Sequence, residues 1–191
     1  ELMYENNIKL FALETGDAVT NFDFLGFTLL YELSYSNVVN MLKMADIPIY
    51  SKDRDGNMPF ICGGGPCAYN CEPVADFFDF FLLGEGEDII CEVVDEYVKW
   101  KKRGSKNRKE YLAEIAKIPG VYVPSFYDVE YNDDNTVKSV TPNNPNVKRT
   151  IRKRIMSDFD KTPAPDNIIV PYGDVVHDRV MLEVFRGCIR G

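Results

Sequence analysis

Three continuous apolar runs stand out in the first half of the chain. They occupy residues 22–30, 59–62 and 78–83. Runs without alternating polar positions are typical of strands that are buried on both faces, as in a parallel sheet. We therefore expect three neighbouring parallel strands, centred on Phe24, Phe60 and Phe80.

Helical spacing separates and follows these runs. Apolar residues recur at intervals of three and four after Ser34, which predicts a helix that ends before Pro48. Helices are also predicted over residues 88–100 and 108–118, with a short one near Glu72. This alternation of strands and helices predicts a doubly wound α/β fold, with helices on both faces of a parallel sheet.

The second half of the chain follows a different pattern. Pro119-Gly120 closes the last of these helices. Residues 127–131 and 136–140 flank Asn132-Asp133-Asp134-Asn135, whose residues tolerate left-handed backbone, which predicts a β-hairpin. Prolines mark an extended connector around a basic strand candidate at residues 147–156. The predicted parts are an α/β domain (1–119), a connector with the hairpin (120–176) and the beginning of a further domain (177–191).

Composition places the chain among globular proteins. With 191 residues and 45% hydrophobic side chains, it can bury one substantial core. No run of eighteen apolar residues exists, and the first residues lack the basic and then apolar pattern of a signal peptide. We therefore expect no membrane contact and a cytoplasmic location.

The charge of the chain argues against a general nucleic-acid binder. The formal net charge is −8, whereas binding to phosphates needs many facing cations. Basic residues are nevertheless concentrated between Lys99 and Lys109 and between Lys148 and Arg154. Both segments are interpreted as solvated surface, and a contact with RNA or another acidic partner stays open as the alternative.

The cysteines number five, an odd count without secretory features, so reduced thiols or metal ligands are expected rather than disulfides. Cys62, Cys67 and Cys71 form a C-x4-C-x3-C series without a nearby histidine, and structural thiols are favoured over a metal site. His177 is followed by Asp178, and a structural hydrogen bond is favoured over a general base.

Two of the predicted strands end in a glycine-rich loop, at residues 63–66 and 84–87. Open parallel sheets bind ligands at the carboxyl ends of their strands, and glycine lets a ligand approach the backbone closely. In the alternative interpretation, the first loop is a tight turn, and Glu85 and Glu87 complement the N-terminus of the following helix. The candidate ligand site comprises Thr28, Leu29, Gly63, Gly64, Gly65, Pro66, Glu85, Gly86 and Glu87.

The end of the chain resembles the opening of a radical-SAM domain. A strand candidate at residues 180–185 runs into Arg186-Gly187-Cys188. In such domains the first barrel strand delivers an Arg-Gly-Cys element that begins a C-x-x-x-C-x-x-C motif. The resemblance implies that Cys188 is the first of three thiolate ligands of a [4Fe–4S] cluster, whose open iron chelates S-adenosylmethionine. It also implies an electron donor for the cluster and reductive cleavage of S-adenosylmethionine to a 5′-deoxyadenosyl radical.

The upstream part is similar to the flavodoxin-like, cobalamin-binding-type domain that precedes many radical-SAM barrels. Residues 22–30 resemble its strand ending in Ser-x-Leu, with Thr28 in the serine place, and the two loops resemble its Gly-Gly-Pro and Gly-Glu-Gly-Glu elements. Three further segments resemble one subfamily of cobalamin-binding-like radical-SAM proteins. They are Tyr31-Glu32-Leu33, Val121-Tyr122-Val123-Pro124 and His177-Asp178-Arg179.

The chain departs from that cobalamin family in two ways. The Asp-x-His-x-x-Gly element, whose histidine can ligate cobalt, is missing from these residues, which argues against cobalamin binding. The resemblance also implies that the family's first strand and helix lie upstream of Glu1.

We therefore interpret the chain as the N-terminal part of a radical-SAM iron–sulfur enzyme, an oxidoreductase whose substrate the sequence does not identify. Because one thiolate cannot replace three, this part alone is expected to hold no cofactor and to be inactive. One alternative is an α/β module that binds a nucleotide or a partner without catalysis. The other is a radical-SAM enzyme that modifies RNA.

Overall fold

Four strands form the central sheet in the computed structural model, which describes residues 2–145, 147–162, 173, 174, 176 and 183–187. The strands are β1 (Phe24–Thr28), β2 (Phe60–Gly64), β3 (Phe80–Leu82) and β4 (Val121–Tyr122). They lie in the sheet in their order along the chain.

The first three strands run parallel. Phe24 lies opposite Phe60, and Cys62 lies opposite Phe80, so the prediction of three neighbouring parallel strands is confirmed. β4 adds an antiparallel edge, in which Tyr122 lies opposite Phe81. The sequence pattern does not predict β4, because a strand of two residues is too short to give a periodic signal.

Helices occupy the positions where the sequence predicts them. The α-helices are α1 (Leu2–Glu5), α2 (Tyr35–Met44), α3 (Gly86–Lys102) and α4 (Arg108–Ile115). The helix predicted after Ser34 is α2, and it ends before Pro48 as expected. The short helix expected near Glu72 is a 3-10 helix, Glu72–Phe77, and another, Pro66–Asn70, follows β2.

Aromatic side chains fill the face of the sheet that α3 and α4 cover. Phe24 packs against Tyr97 of α3 with ring centroids 4.8 Å apart. Phe60 packs against Tyr111 of α4 with centroids 4.6 Å apart. Edge-to-face and tilted pairs at these distances stabilise a core beyond the burial of their area.

The opposite face of the sheet is buried as well. Successive side chains of a strand point to opposite faces, and on this side Phe78 contacts Phe27 and Phe81, with centroids 5.9 and 4.7 Å apart. Val38 and Leu42 of α2 belong to the same hydrophobic core. Burial on both faces explains why the strands are continuous apolar runs.

The hairpin forms a second, two-stranded antiparallel sheet, β5 (Tyr127–Tyr131) with β6 (Val137–Pro142). In its turn Asn135 adopts a φ of 64°, and the N–H of Asn132 donates to the carbonyl oxygen of Thr136 at 2.9 Å. The predicted hairpin is confirmed. With the mostly parallel sheet before it, the predicted α/β fold class is confirmed as well.

The basic segment at residues 147–156 is not a strand, so the strand predicted there is wrong. Its β-type pairing is an isolated bridge between Arg154 and Gly84. Val147 and Ile151 pack against the core. The basic side chains next to them face solvent, and within the described residues the segment pairs with no strand. The exposed basic side chains are Lys148, Arg149, Arg152 and Lys153.

Contacts along the chain divide it into two units, Glu1–Ile155 and Met156–Gly191. Both sheets belong to the first unit, and the second contains the 3-10 helix Phe159–Lys161. The predicted boundaries after residues 119 and 176 stay predictions. The strand predicted at 180–185 lies half outside the described residues. Within the described ranges, no helix is both long and apolar enough to cross a lipid bilayer.

Candidate functional site

The ends of β1 and β2 lie side by side at the carboxyl edge of the main sheet. Thr28 lies opposite Gly64 in the parallel pairing. The N–H of Leu29 donates to the carbonyl oxygen of Gly64 at 2.7 Å, and the N–H of Cys67 donates to that of Leu29 at 3.0 Å. The structure therefore brings Thr28 and Leu29 against the first glycine loop, while Pro66 begins the 3-10 helix that follows it.

Packing accounts for two of the three glycines in the first loop. Gly65 has a φ of 93°, and a Cβ there would lie 3.0 Å from the carbonyl oxygen of Leu29. At Gly63 a Cβ would lie 2.7 Å from the ring of Phe81. Gly64 has room for an ordinary Cβ contact, so packing alone does not require glycine there.

The segment around Arg154 packs against the second glycine loop. Gly84 has a φ of 106°, and a Cβ there would lie 2.1 Å from the carbonyl oxygen of Arg154. The N–H of Arg154 donates to Leu83 O at 2.8 Å, and the N–H of Glu85 donates to Arg154 O at 3.1 Å. The Arg154 guanidinium also pairs with Glu92 on α3. Glycine at position 84 therefore lets the backbone of Arg154 approach closely. The sequence does not predict this contact, because Arg154 lies far along the chain.

Glu85 and Glu87 flank the first residue of α3. The helix begins at Gly86, with Glu85 at the N-cap and Glu87 in the first turn. Both carboxylates lie where the positive end of the helix dipole favours negative charge, as the alternative interpretation proposes. A Cβ at Gly86 would meet nothing within 4 Å, so the loop borders open space. Because β2 and β3 are parallel, the two loops share one edge of the sheet.

A hydroxyl group without a partner lies at the start of α2. The Tyr35 hydroxyl oxygen is buried and has no hydrogen-bond partner among the described residues. Burial raises the pKa of Tyr35, and the neighbouring Cys67 and Glu32 raise it further. Leaving such a group unsatisfied costs about 1–3 kcal/mol, so the hydroxyl is a candidate ligand contact. Nothing in the local sequence pattern distinguishes this tyrosine, and the sequence analysis missed it.

Burial disfavours metal ligation by three of the described cysteines. It raises the pKa of Cys62 and of Cys71 to about 12, and it also raises the pKa of Cys67. Burial thus disfavours the thiolate form of these three thiols, and ligation needs thiolates. Cys91 is exposed on α3, where its Sγ donates to the carbonyl oxygen of Glu87 at 3.4 Å.

A [4Fe–4S] cluster does not fit the cysteines that the structure describes. In those parts of the chain, no three His, Cys, Asp or Glu side chains are grouped so that they could hold a metal ion. Cys188, the predicted cluster ligand, and His177 both lie outside the described residues.

Comparison with known proteins identifies the family. A family model described as radical SAM proteins, N-terminal, matches residues 1–124. The chain belongs to this family. The matched residues of this radical-SAM N-terminal domain contain the whole four-stranded sheet and both glycine loops. The resemblance to radical-SAM proteins is thereby confirmed at the level of the family.

An uncharacterized protein of Methanocaldococcus jannaschii is similar to part of this chain. The two are 36% identical over 92 residues, which are 47% of this chain and 19% of that relative. The aligned part of the chain therefore spans about one fifth of the relative's length. No solved structure matches the chain.

Proposed function

We propose that the full-length protein is a radical-SAM enzyme, which cleaves S-adenosylmethionine reductively and starts radical chemistry on its substrate. The observation that carries the proposal is the family match over residues 1–124. Arg186-Gly187-Cys188 supports it, because an Arg-Gly-Cys element resembles the start of the cluster motif of radical-SAM barrels. A bound [4Fe–4S] cluster and S-adenosylmethionine would supply the radical chemistry, and the protein would bind and orient the substrate.

Cys188 is the proposed cluster ligand of this chain. The described cysteines do not fit the cluster, and the C-x-x-x-C-x-x-C spacing puts the other two ligands at positions beyond Gly191. Residues 1–119 are the proposed accessory domain, 120–176 the connector and 177–191 the start of the barrel. An electron donor is the proposed partner, and the cytoplasm, where thiols stay reduced, is the proposed location.

The carboxyl edge of the sheet is the proposed ligand site of the accessory domain. Packing does not require glycine at position 64, Gly86 borders open space, and the Tyr35 hydroxyl has no partner in the part of the chain that the structure describes. Together with Thr28 and Leu29, these groups favour a small ligand that accepts a hydrogen bond at the strand ends. Cobalamin is not the proposed ligand, because the sequence lacks the histidine element that would ligate cobalt.

Anaerobic reconstitution of the full-length protein tests the enzymatic proposal. With iron, sulfide and a reductant, the protein should gain the broad visible absorbance of a [4Fe–4S] cluster. With S-adenosylmethionine, it should then release 5′-deoxyadenosine, which chromatography detects. Cys188→Ser should abolish both the absorbance and the product, because the cluster loses one of its three thiolates.

Cys91→Ser is the matched control for that experiment. Cys91 is an exposed thiol on α3, so its replacement should leave cluster content and 5′-deoxyadenosine release unchanged. If Cys188→Ser keeps the cluster, the enzymatic proposal fails, and a binding module without catalysis takes its place.

RNA modification is the second candidate function. It is favoured by the exposed basic side chains between Lys148 and Lys153, which could contact phosphates. If RNA is the substrate, retention of RNA by the full-length protein should fall steeply with salt, because phosphate contacts release counterions. Retention that does not depend on salt would argue against this candidate.

A further inference from the structure

A cavity of about 780 Å³ lies at the amino edge of the main sheet, on the side opposite the glycine loops. Asp79 in its wall directly precedes β3, and Arg108 is the first residue of α4. Its size falls within the range of small-molecule sites, about 300–1,000 Å³. The charged side chains that line it are Lys52, Arg54, Asp79, Arg108 and Lys109.

Two buried arginines share one carboxylate in the wall of this cavity. Arg54 Nη1 lies 3.0 Å from Asp79 Oδ2, and Arg108 Nη2 lies 2.8 Å from the same oxygen. The side chains of Arg54, Arg108 and Asp79 are 0%, 9% and 2% exposed. Two buried positive charges against one buried negative charge leave an excess positive charge in a wall of low dielectric, which the exposed Asp53 near Arg54 offsets in part.

Backbone carbonyl groups fix both guanidinium groups in place. Arg54 donates to the carbonyl oxygens of Pro48, Ile49 and Phe77. Arg108 donates to those of Asp55, Met58 and Pro59, and its guanidinium lies 3.9 Å from the ring centroid of Phe60. The positive wall is therefore formed before any ligand arrives, which lowers the entropy lost on binding.

Two lysines add positive charge at the rim. Lys52 and Lys109 are exposed, and both line the cavity. Among the lining residues, Asp79 is the one carboxylate, whereas the amide nitrogen of Asn143 is held by Asp128 at 2.9 Å. The first turn of α4 also borders the cavity, and its dipole adds to the positive potential.

We infer that this cavity binds a phosphorylated small molecule. Lysine side chains bind phosphate as point charges, and two lysines line this cavity together with two buried arginines and one carboxylate. RNA is disfavoured because the one aromatic ring among the described lining residues, Phe126, is itself buried and offers no surface for base stacking. The site lies at the opposite edge of the sheet from the proposed carboxyl-edge site, and the inference does not depend on the enzymatic proposal.

Calorimetric titration of the full-length protein with inorganic phosphate and with pyrophosphate, at constant ionic strength, tests the inference. Both anions should bind saturably, and acetate should not, because a single charge gains less from the field. Lys52→Gln/Lys109→Gln should raise the Kd for phosphate at least about tenfold, since each lost charge-assisted hydrogen bond is worth more than one kcal/mol. Lys52→Arg/Lys109→Arg should restore binding, because it keeps both charges.

Lys102→Gln/Lys138→Gln is the matched control, since it removes two exposed lysines that do not line the cavity. It should leave the Kd for phosphate within about twofold of the wild-type value, as screened surface charges contribute little. An equal loss of binding in both double variants would overturn the inference, and so would the absence of saturable phosphate binding. Binding of an RNA oligonucleotide without phosphate binding would also overturn it, in favour of RNA as the ligand.

Discussion

Arg54 and Asp79 form an ion pair from which solvent is almost entirely excluded, with Nη1 3.0 Å from Oδ2. The same carboxylate oxygen accepts the backbone N–H of Ile61 at 2.7 Å. Burial lowers the pKa of Arg54, and the charge of Asp79 opposes that effect. The carboxylate thus joins the amino end of β2 to β3 and neutralises part of the charge of two arginines.

Asp79→Asn should destabilise the fold strongly. It leaves the guanidinium groups of Arg54 and Arg108 buried without a counter-charge, and breaking a buried pair in this way costs about 3–5 kcal/mol. Asp46→Asn is the control, because Asp46 pairs with Lys9 at 2.8 Å while both side chains are mostly exposed. Its cost should stay below about 1 kcal/mol. Urea unfolding measures the loss in the free energy of unfolding for both variants. Equal losses would refute the structural role of Asp79.

Gly65→Ala and Gly86→Ala should have opposite effects on stability. Gly65 has a positive φ, and a new Cβ would press on the backbone of Leu29, so the folded state is strained. At Gly86 a Cβ meets nothing and the backbone is helical, so alanine should stabilise the fold by about 0.4–1 kcal/mol. Thermal unfolding compares the stability of each variant with that of the wild type. A Gly65→Ala variant as stable as the wild type would contradict the described loop geometry.

Local patterns predict the main sheet because β2 and β3 are largely buried on both faces and β1, at the edge, is partly buried. Phe24, Phe60 and Phe80 lie in continuous apolar runs, and the parallel pairing then brings Thr28 beside Gly64. The proximity of the first strand end and the first glycine loop therefore follows from sequence and general rules. Ligand binding at that edge stays a prediction.

Contacts over long distances in sequence could not be predicted. Gly84 holds the backbone of Arg154, and Asp79 holds Arg54, which lies 25 residues earlier. A signal for the second contact was present, since Asp79 interrupts an apolar run and a buried carboxylate needs partners. Its partners could not be identified because nothing in the local spacing distinguishes Arg54 or Arg108 from the other basic residues.

Tyr35→Phe should leave the stability of the ligand-free protein unchanged or raise it. Among the described residues the Tyr35 hydroxyl has no partner, so its removal ends a desolvation penalty. Tyr111→Phe is the matched control, because the Tyr111 hydroxyl donates to the carbonyl oxygen of Val93 at 3.0 Å in the buried core. That change should cost about 1–2 kcal/mol in the free energy of unfolding, measured in urea. A larger loss from Tyr35→Phe than from Tyr111→Phe would show that Tyr35 has a partner in solution.

The stability contribution of Cys62 should depend on pH. Burial raises the pKa of this thiol from 9.0 to about 12 in the folded chain, and the charge of Asp79 adds to the shift. Between these values the unfolded chain loses the thiol proton and the folded chain keeps it. Because the folded state then binds more protons, stability falls as pH rises, by up to about 1.4 kcal/mol per pH unit.

Cys62→Ala removes this titration, so its destabilisation relative to wild type should shrink between about pH 8 and about pH 10. The control is Val93→Ala, which truncates a fully buried side chain that carries no titratable group. Its cost should not change with pH, even though other groups alter the stability of both proteins. Urea unfolding of the three proteins at each pH gives the two differences. If the cost of Cys62→Ala stays constant while the proteins remain folded, the Cys62 thiol is not held protonated by burial, and water or a charge reaches it.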